Sequence, residues 1–106
     1  MSRRNVESTL DTLVISLCLD YGRRQKAIEE RSVTKRTDTE FRYYNFKIFD
    51  ATAEIVGERF AVQYIDEIGN RVGFAKSLVN CVSEITYKNY KRLIKDNIAQ
   101  KLHLCD

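Results

Sequence analysis

Lys88, Lys91, Arg92 and Lys95 share one side of the stretch Ser83 to Leu102, SEITYKNYKRLIKDNIAQKL, which reads as a helix. At roughly 100° per residue they fill an arc of about 100°, with only Glu84 as an acid. A row of cations of this kind suits phosphate oxygens. Thr86, Lys88, Asn89 and Arg92, near the start of the helix, carry the donors that reach bases or phosphates in a major groove. Lys91, Lys95 and the upstream Lys76 would hold the backbone through counterion release. This is the layout of a recognition helix in a DNA-binding helix-turn-helix. The plainer alternative is a solvated face, since Lys and Arg are good helix formers.

Catalytic chemistry has less to draw on. The single histidine, His103, rules out a two-histidine metal site and gives no well-placed Cys/His dyad. No GxxxxGK[ST] or GxGxxG run occurs, and the four glycines are too scattered to cradle phosphates. Glu29/Glu30 and Asp66/Glu67 are sequence neighbours in helical stretches, so their carboxylates diverge. The residues therefore point away from an enzyme and call for no cofactor, metal or catalytic set.

The elements that must position the cationic arc are helical. In the last helix Tyr87, Tyr90, Ile94, Ile98 and Leu102 line an apolar face, with Ser83 as N-cap and Val82/Tyr87 at staple spacing. Residues 7–31 read as a first long helix: Leu10, Leu13, Val14, Leu17, Tyr21 and Ile28 keep helical spacing, and Ile15 and Leu19 widen the face. Gly22 marks a bend there. The run Arg23, Arg24, Lys26, Arg31, Lys35, Arg36 is the densest positive segment, suited to phosphates or to a solvated helix end. Thr37 and Glu40 have capping-box spacing and launch a second helix to about Val56, ended by an αL cap at Gly57. Its stripe is Phe41, Tyr44, Ile48, Thr52 and Ile55, with Asn45 and Val56 alongside; Tyr43 and Phe46 point elsewhere. A third helix, Glu58 to Ile68, turns Ala61, Tyr64, Ile65 and Ile68 inward and stops at Gly69. GNRVG (69–73) is the strongest turn signal, and Phe74 to Asn80 is a short helix or turn.

Composition agrees. The 106 residues suffice for one domain with a real core, and a 43% apolar content belongs to a folded chain. The formal charge of +3 permits nucleic acid without demanding it. No proline occurs, where about 5% usage would give roughly five, as expected of a mostly helical chain. Cys18, Cys81 and Cys105 are odd in number and form no CxxC pair; Cys18 and Cys81 lie among apolar residues, so free thiols in a reducing cytoplasm are expected. The run Leu13–Leu19 is too short to span a bilayer, and Glu7 and Asp11 interrupt any signal peptide, so neither membrane nor secretion is expected.

The C-terminal third, YIDEIGNRVGFAKSLVNCVSEITYKNYKRLIKDNIAQKLHL, resembles the closing segment of small ArpU-like regulators from phages and prophages of Gram-positive bacteria. The matching pieces are Gly73…Ser77, Ser83-x-x-Thr86-Tyr87-Lys88, and Lys91 through Leu102 with its Ile98-Ala99…Leu102 ending. The resemblance implies a C-terminal region similar to the DNA-reading part of sigma factors. Only five residues separate Ser77 from Ser83, so either the third helix supplies the first helix of the motif or the turn is irregular.

The expectation is an all-α domain of four to five helices: an N-terminal helical pair over 7–57, then a helix-turn-helix-like segment over 58–102 that ends in the long basic helix. Its function is to bind duplex DNA as a cytoplasmic regulator of transcription from a phage or mobile element. An accessory factor for a site-specific recombinase is equally compatible, and a helical protein-binding module using Tyr43, Phe46 and the first helix is the alternative without DNA. Leu10, Leu13, Leu17, Leu19 and Tyr21 are the candidate dimerisation residues. RNA polymerase or a recombinase is the candidate protein partner.

Overall fold

Helical periodicity is realised along most of the described chain. The computed structural model describes residues 2–79 and 82–104, with side chains from residue 9 onward. Among the described residues there are five α-helices, one 3-10 turn and no strand: α1 (Ser2–Leu19), α2 (Tyr21–Glu30), α3 (Lys35–Val56), α4 (Glu58–Gly69), the turn Phe74–Lys76, and α5 (Glu84–Lys101). Cys81 and Cys105 lie outside the described residues. No described helix is long and apolar enough to cross a membrane.

The core forms where α1, α3, α4 and α5 meet. Val14, Ile15 and Cys18 enter it from α1, Ile48 and Ala51 from α3, Tyr64, Ile65 and Ile68 from α4, and Tyr87, Ile94 and Ile98 from α5. Ile48, Ile94 and Ile98 are 0% exposed, and burial of such a side chain stabilises the fold by about 1.5–3 kcal/mol. Cys18 is buried as expected, and burial pushes its thiol up to about 12, which leaves it a small apolar filler.

The first long helix is in fact two. It breaks at Asp20, two residues before Gly22, and α2 turns to pack on α3 while α1 packs on α4 and α5. The cause is Arg24. Its buried guanidinium donates from Nη2 to the Leu17 carbonyl at 2.6 Å and from Nε to Asn45 Oδ1 at 2.8 Å. Asn45 Nδ2 in turn donates to the Tyr21 carbonyl at 3.1 Å. A side chain that claims a carbonyl near a helix end interrupts the ladder there.

Two caps also differ from expectation. α3 starts one turn early, because Thr34 and not Thr37 is its N-cap: Thr34 Oγ1 accepts from the Thr37 amide at 3.3 Å. Thr34/Thr37 and Thr37/Glu40 have the same spacing, and the earlier cap gains a further turn of helix. Gly57 does end α3 at positive φ, but φ 87° with ψ 159° lies outside the αL region. A single residue thereby joins α3 to α4, in a conformation open to glycine.

Gly69 serves a different need. A Cβ there would lie 2.6 Å from both Cα and N of Leu19, so the ends of α4 and α1 can touch only through glycine.

Residues 70–83 carry the chain from α4 to α5, and buried Glu67 ties Ser77 and Leu78 to the helices. Its Oε1 accepts from Ser77 Oγ and Tyr87 Oη, each at 2.6 Å. Its Oε2 accepts from Gln63 Nε2 at 2.7 Å and from the Leu78 amide at 2.8 Å. Burial pushes this carboxyl up, but the four donors outweigh burial and hold it below its ordinary 4.5. The connection is far longer than the three to four residues of a helix-turn-helix turn, and among its described residues the one helical piece is the 3-10 turn.

Candidate nucleic-acid interface

The N-terminus of α5 is built as its sequence suggests. Ser83 Oγ accepts from the Thr86 amide at 3.2 Å and donates to Thr86 Oγ1 at 2.9 Å. Tyr87, Ile94 and Ile98 then seat the helix in the core, which leaves Ile85, Lys88, Asn89, Arg92, Leu93 and Asp96 facing out. On 18 residues this outer face is about 27 Å long.

The structure divides the proposed contact residues into two groups. Lys88, Asn89 and Arg92 are exposed on the outer face, with half-buried Thr86 at its start and exposed Lys76 on the preceding 3-10 turn. Lys88 Nζ lies 2.8 Å from Glu84 and Arg92 Nη1 lies 4.0 Å from Asp96, so acids one turn away on the same helix offset both cations. Exposed pairs of this kind contribute only about 0.3–0.5 kcal/mol, little enough for a phosphate to displace them.

Lys91 and Lys95 belong to the second group and turn inward. Lys91 Nζ donates to the Val72 carbonyl at 2.6 Å and sits 5.1 Å from the centre of the Tyr87 ring. Burial, and then Lys95, lower its pKa, against a smaller opposing pull from Glu67. Lys95 Nζ pairs with Asp11 Oδ1 of α1 at 2.8 Å. The arc drawn from helical spacing alone is thus split between an open face and a cleft.

The chain matches no family model, no curated protein and no solved structure. Its chemistry therefore has to be read from the side chains themselves.

Two residues, Glu67 and Arg71, take places that neither hydrophobic spacing nor charge singles out. Glu67 lies at the edge of the buried stripe of α4, at i, i+3, i+6 and i+7 with Ala61, Tyr64 and Ile68, and its carboxylate does not mark it as a core residue. Arg71, at φ 56°, borders one cleft with Lys91 and Lys95, a placement that spacing along the chain does not reveal. Asp66 and Glu67 do diverge, one exposed and one buried. His103 is exposed, also at positive φ.

The candidate dimer residues are divided too. Leu10, Leu17 and Tyr21 pack against the core of their own subunit, whereas Leu13 and Leu19 stay 43% and 56% exposed. On α3, Tyr43 and Phe46 are exposed off the buried stripe, Phe46 at 65%. Phe46 and Phe49 border a groove with Tyr21 and Ile28 of α2.

Proposed function

We propose that this chain binds duplex DNA through the outer face of α5, as a regulator of transcription derived from a phage or mobile element. One observation carries the reading: Lys88, Asn89 and Arg92 lie exposed along the first half of a core-anchored helix. A helix about 10–12 Å across fits a major groove about 12 Å wide. Asn89 has the amide that pairs with an adenine edge, and Arg92 the fork that pairs with guanine or a phosphate. Ile85, 75% exposed at the start of the helix, offers an apolar contact of the kind a thymine methyl accepts. Lys76 stands ready for the flanking backbone.

A second reading has its own observation. The exposed aromatics Tyr43 and Phe46, outside any DNA-facing helix, suit a protein partner such as RNA polymerase or a recombinase. The two readings separate by salt. Duplex affinity measured by fluorescence anisotropy at two ionic strengths should fall steeply with salt, and Lys88→Ala with Arg92→Ala should flatten the slope by about one unit per lost contact. Unchanged affinity and slope in the folded double variant would remove α5 from the interface.

A further inference from the structure

Between α1, the turn after α4 and the inner side of α5 lies a cleft of ≈ 250 Å³, bordered by Asp11, Arg71, Val72, Gly73, Lys91 and Lys95. At about 30 Å³ of liquid volume per water it has room for a phosphate group with part of its hydration. Three cations and one carboxylate face it. The carboxylate, Asp11, is already engaged by Lys95.

We propose that this cleft is a binding site for a phosphate group, held by Arg71, Lys91 and Lys95. The inference stands on the cleft and does not need the outer face of α5 to enter a groove.

The donor set fits the ligand. Among the described residues Lys91 spends one of its three N–H donors on the Val72 carbonyl, and it pairs with no carboxylate. Lys95 spends one on Asp11. Arg71 makes no ion pair among the described residues, and its planar fork matches two phosphate oxygens.

The arrangement is also costly without an anion. Lys91 and Lys95 are like charges one turn apart on α5, a spacing that destabilises a helix. Lys91 is moreover half-buried, with its charge partly stripped of water. The fold nonetheless adds a third cation: Arg71, exposed and in a left-handed conformation rare for its residue type, borders the same cleft. Phosphate would offset the charge that Asp11 leaves unbalanced among the three.

Phosphate has two sources, a free phosphorylated compound and a DNA backbone, and the experiment has an arm for each. Binding of inorganic phosphate to the full chain is followed by calorimetry against chloride at equal ionic strength, and binding of a short duplex by anisotropy. The variants are Lys91→Met, which keeps the apolar stem, and Arg71→Asn, which tolerates positive φ and keeps the test open should Lys91→Met not fold. Lys47→Gln on α3 is the control. Saturable phosphate binding, weakened about tenfold or more by either variant with duplex affinity unmoved, assigns the cleft to a free phosphate compound. Loss of duplex affinity in both variants, beyond any loss in Lys47→Gln, assigns it to a backbone phosphate. Folded variants that alter neither would overturn the proposal, whatever Lys88→Ala with Arg92→Ala does to duplex binding.

Discussion

Tyr87 donates its phenolic hydrogen bond to Glu67 Oε1 across 2.6 Å, joining residues 20 apart in the chain. Through this bond the carboxylate that organises the α4–α5 connection also sets the first turn of α5. Burial, and then this hydrogen bond, push the Tyr87 hydroxyl up to about 12, so it remains a donor across the physiological range.

The Glu67 carboxyl is lower in the folded chain than its ordinary 4.5, so it contributes stability that is complete above about that pH and lost as pH falls through the folded value. Glu67→Gln should cost about 1.5–3 kcal/mol near neutral pH, because an amide cannot satisfy four donors. It should also flatten the loss of stability on the acid side. Urea melts at about pH 7 and about pH 4 test both points; an unaltered acid limb would place the pH dependence elsewhere.

Arg24 is buried with two neutral acceptors, Asn45 Oδ1 and the Leu17 carbonyl. Its desolvation lowers its pKa, yet it still closes the break between α1 and α2. Arg24→Met would leave both acceptors unpaired and should destabilise by about 1–3 kcal/mol. Arg24→Lys, a point donor in place of a fork, should fall between the two. Equal midpoints for the parent chain and Arg24→Met would show that the network contributes nothing net.

Two glycines in helices should respond in opposite directions. Gly69→Ala sets a Cβ against the Leu19 backbone at 2.6 Å and should cost about 1–3 kcal/mol. Gly22 has nothing within 4 Å of the same position, so Gly22→Ala should stabilise α2 by about 0.4–1 kcal/mol. Thermal melts of the two variants should move to either side of the parent; a harmless Gly69→Ala would mean that the two helices do not meet as closely as the geometry has them.

Pairing of two copies through α1 would have to use Leu13 and Leu19, since Leu10, Leu17 and Tyr21 are engaged in their own subunit. Light scattering at micromolar concentration reads the outcome directly. The dimer expected for a protein reading two half-sites should fall to monomer when both leucines become Asp in a still-folded chain. A monomeric parent ends the idea.

Local pattern was enough for the all-helical class, the Ser83 cap, the buried stripe Tyr87–Ile94–Ile98 and the inward face of α4. Each follows from hydrophobic spacing or from a hydrogen bond spanning three residues, and such signals survive in a linear string. Tertiary structure decided the rest, for a physical reason common to every case. At the break in the first helix Arg24 meets Asn45, 21 residues away, a partner that local pattern does not name. Lys91 and Lys95 leave the outer arc only because Val72 and Asp11, on other segments, offer oxygens at 2.6 and 2.8 Å. A long cation on a helix has a choice of partners, and helical spacing gives its angle without naming the partner. Arg71 joins them through a backbone turn that neither charge nor hydrophobicity encodes. The apolar faces were therefore legible from the sequence, while the polar side chains found their roles only once the helices had packed.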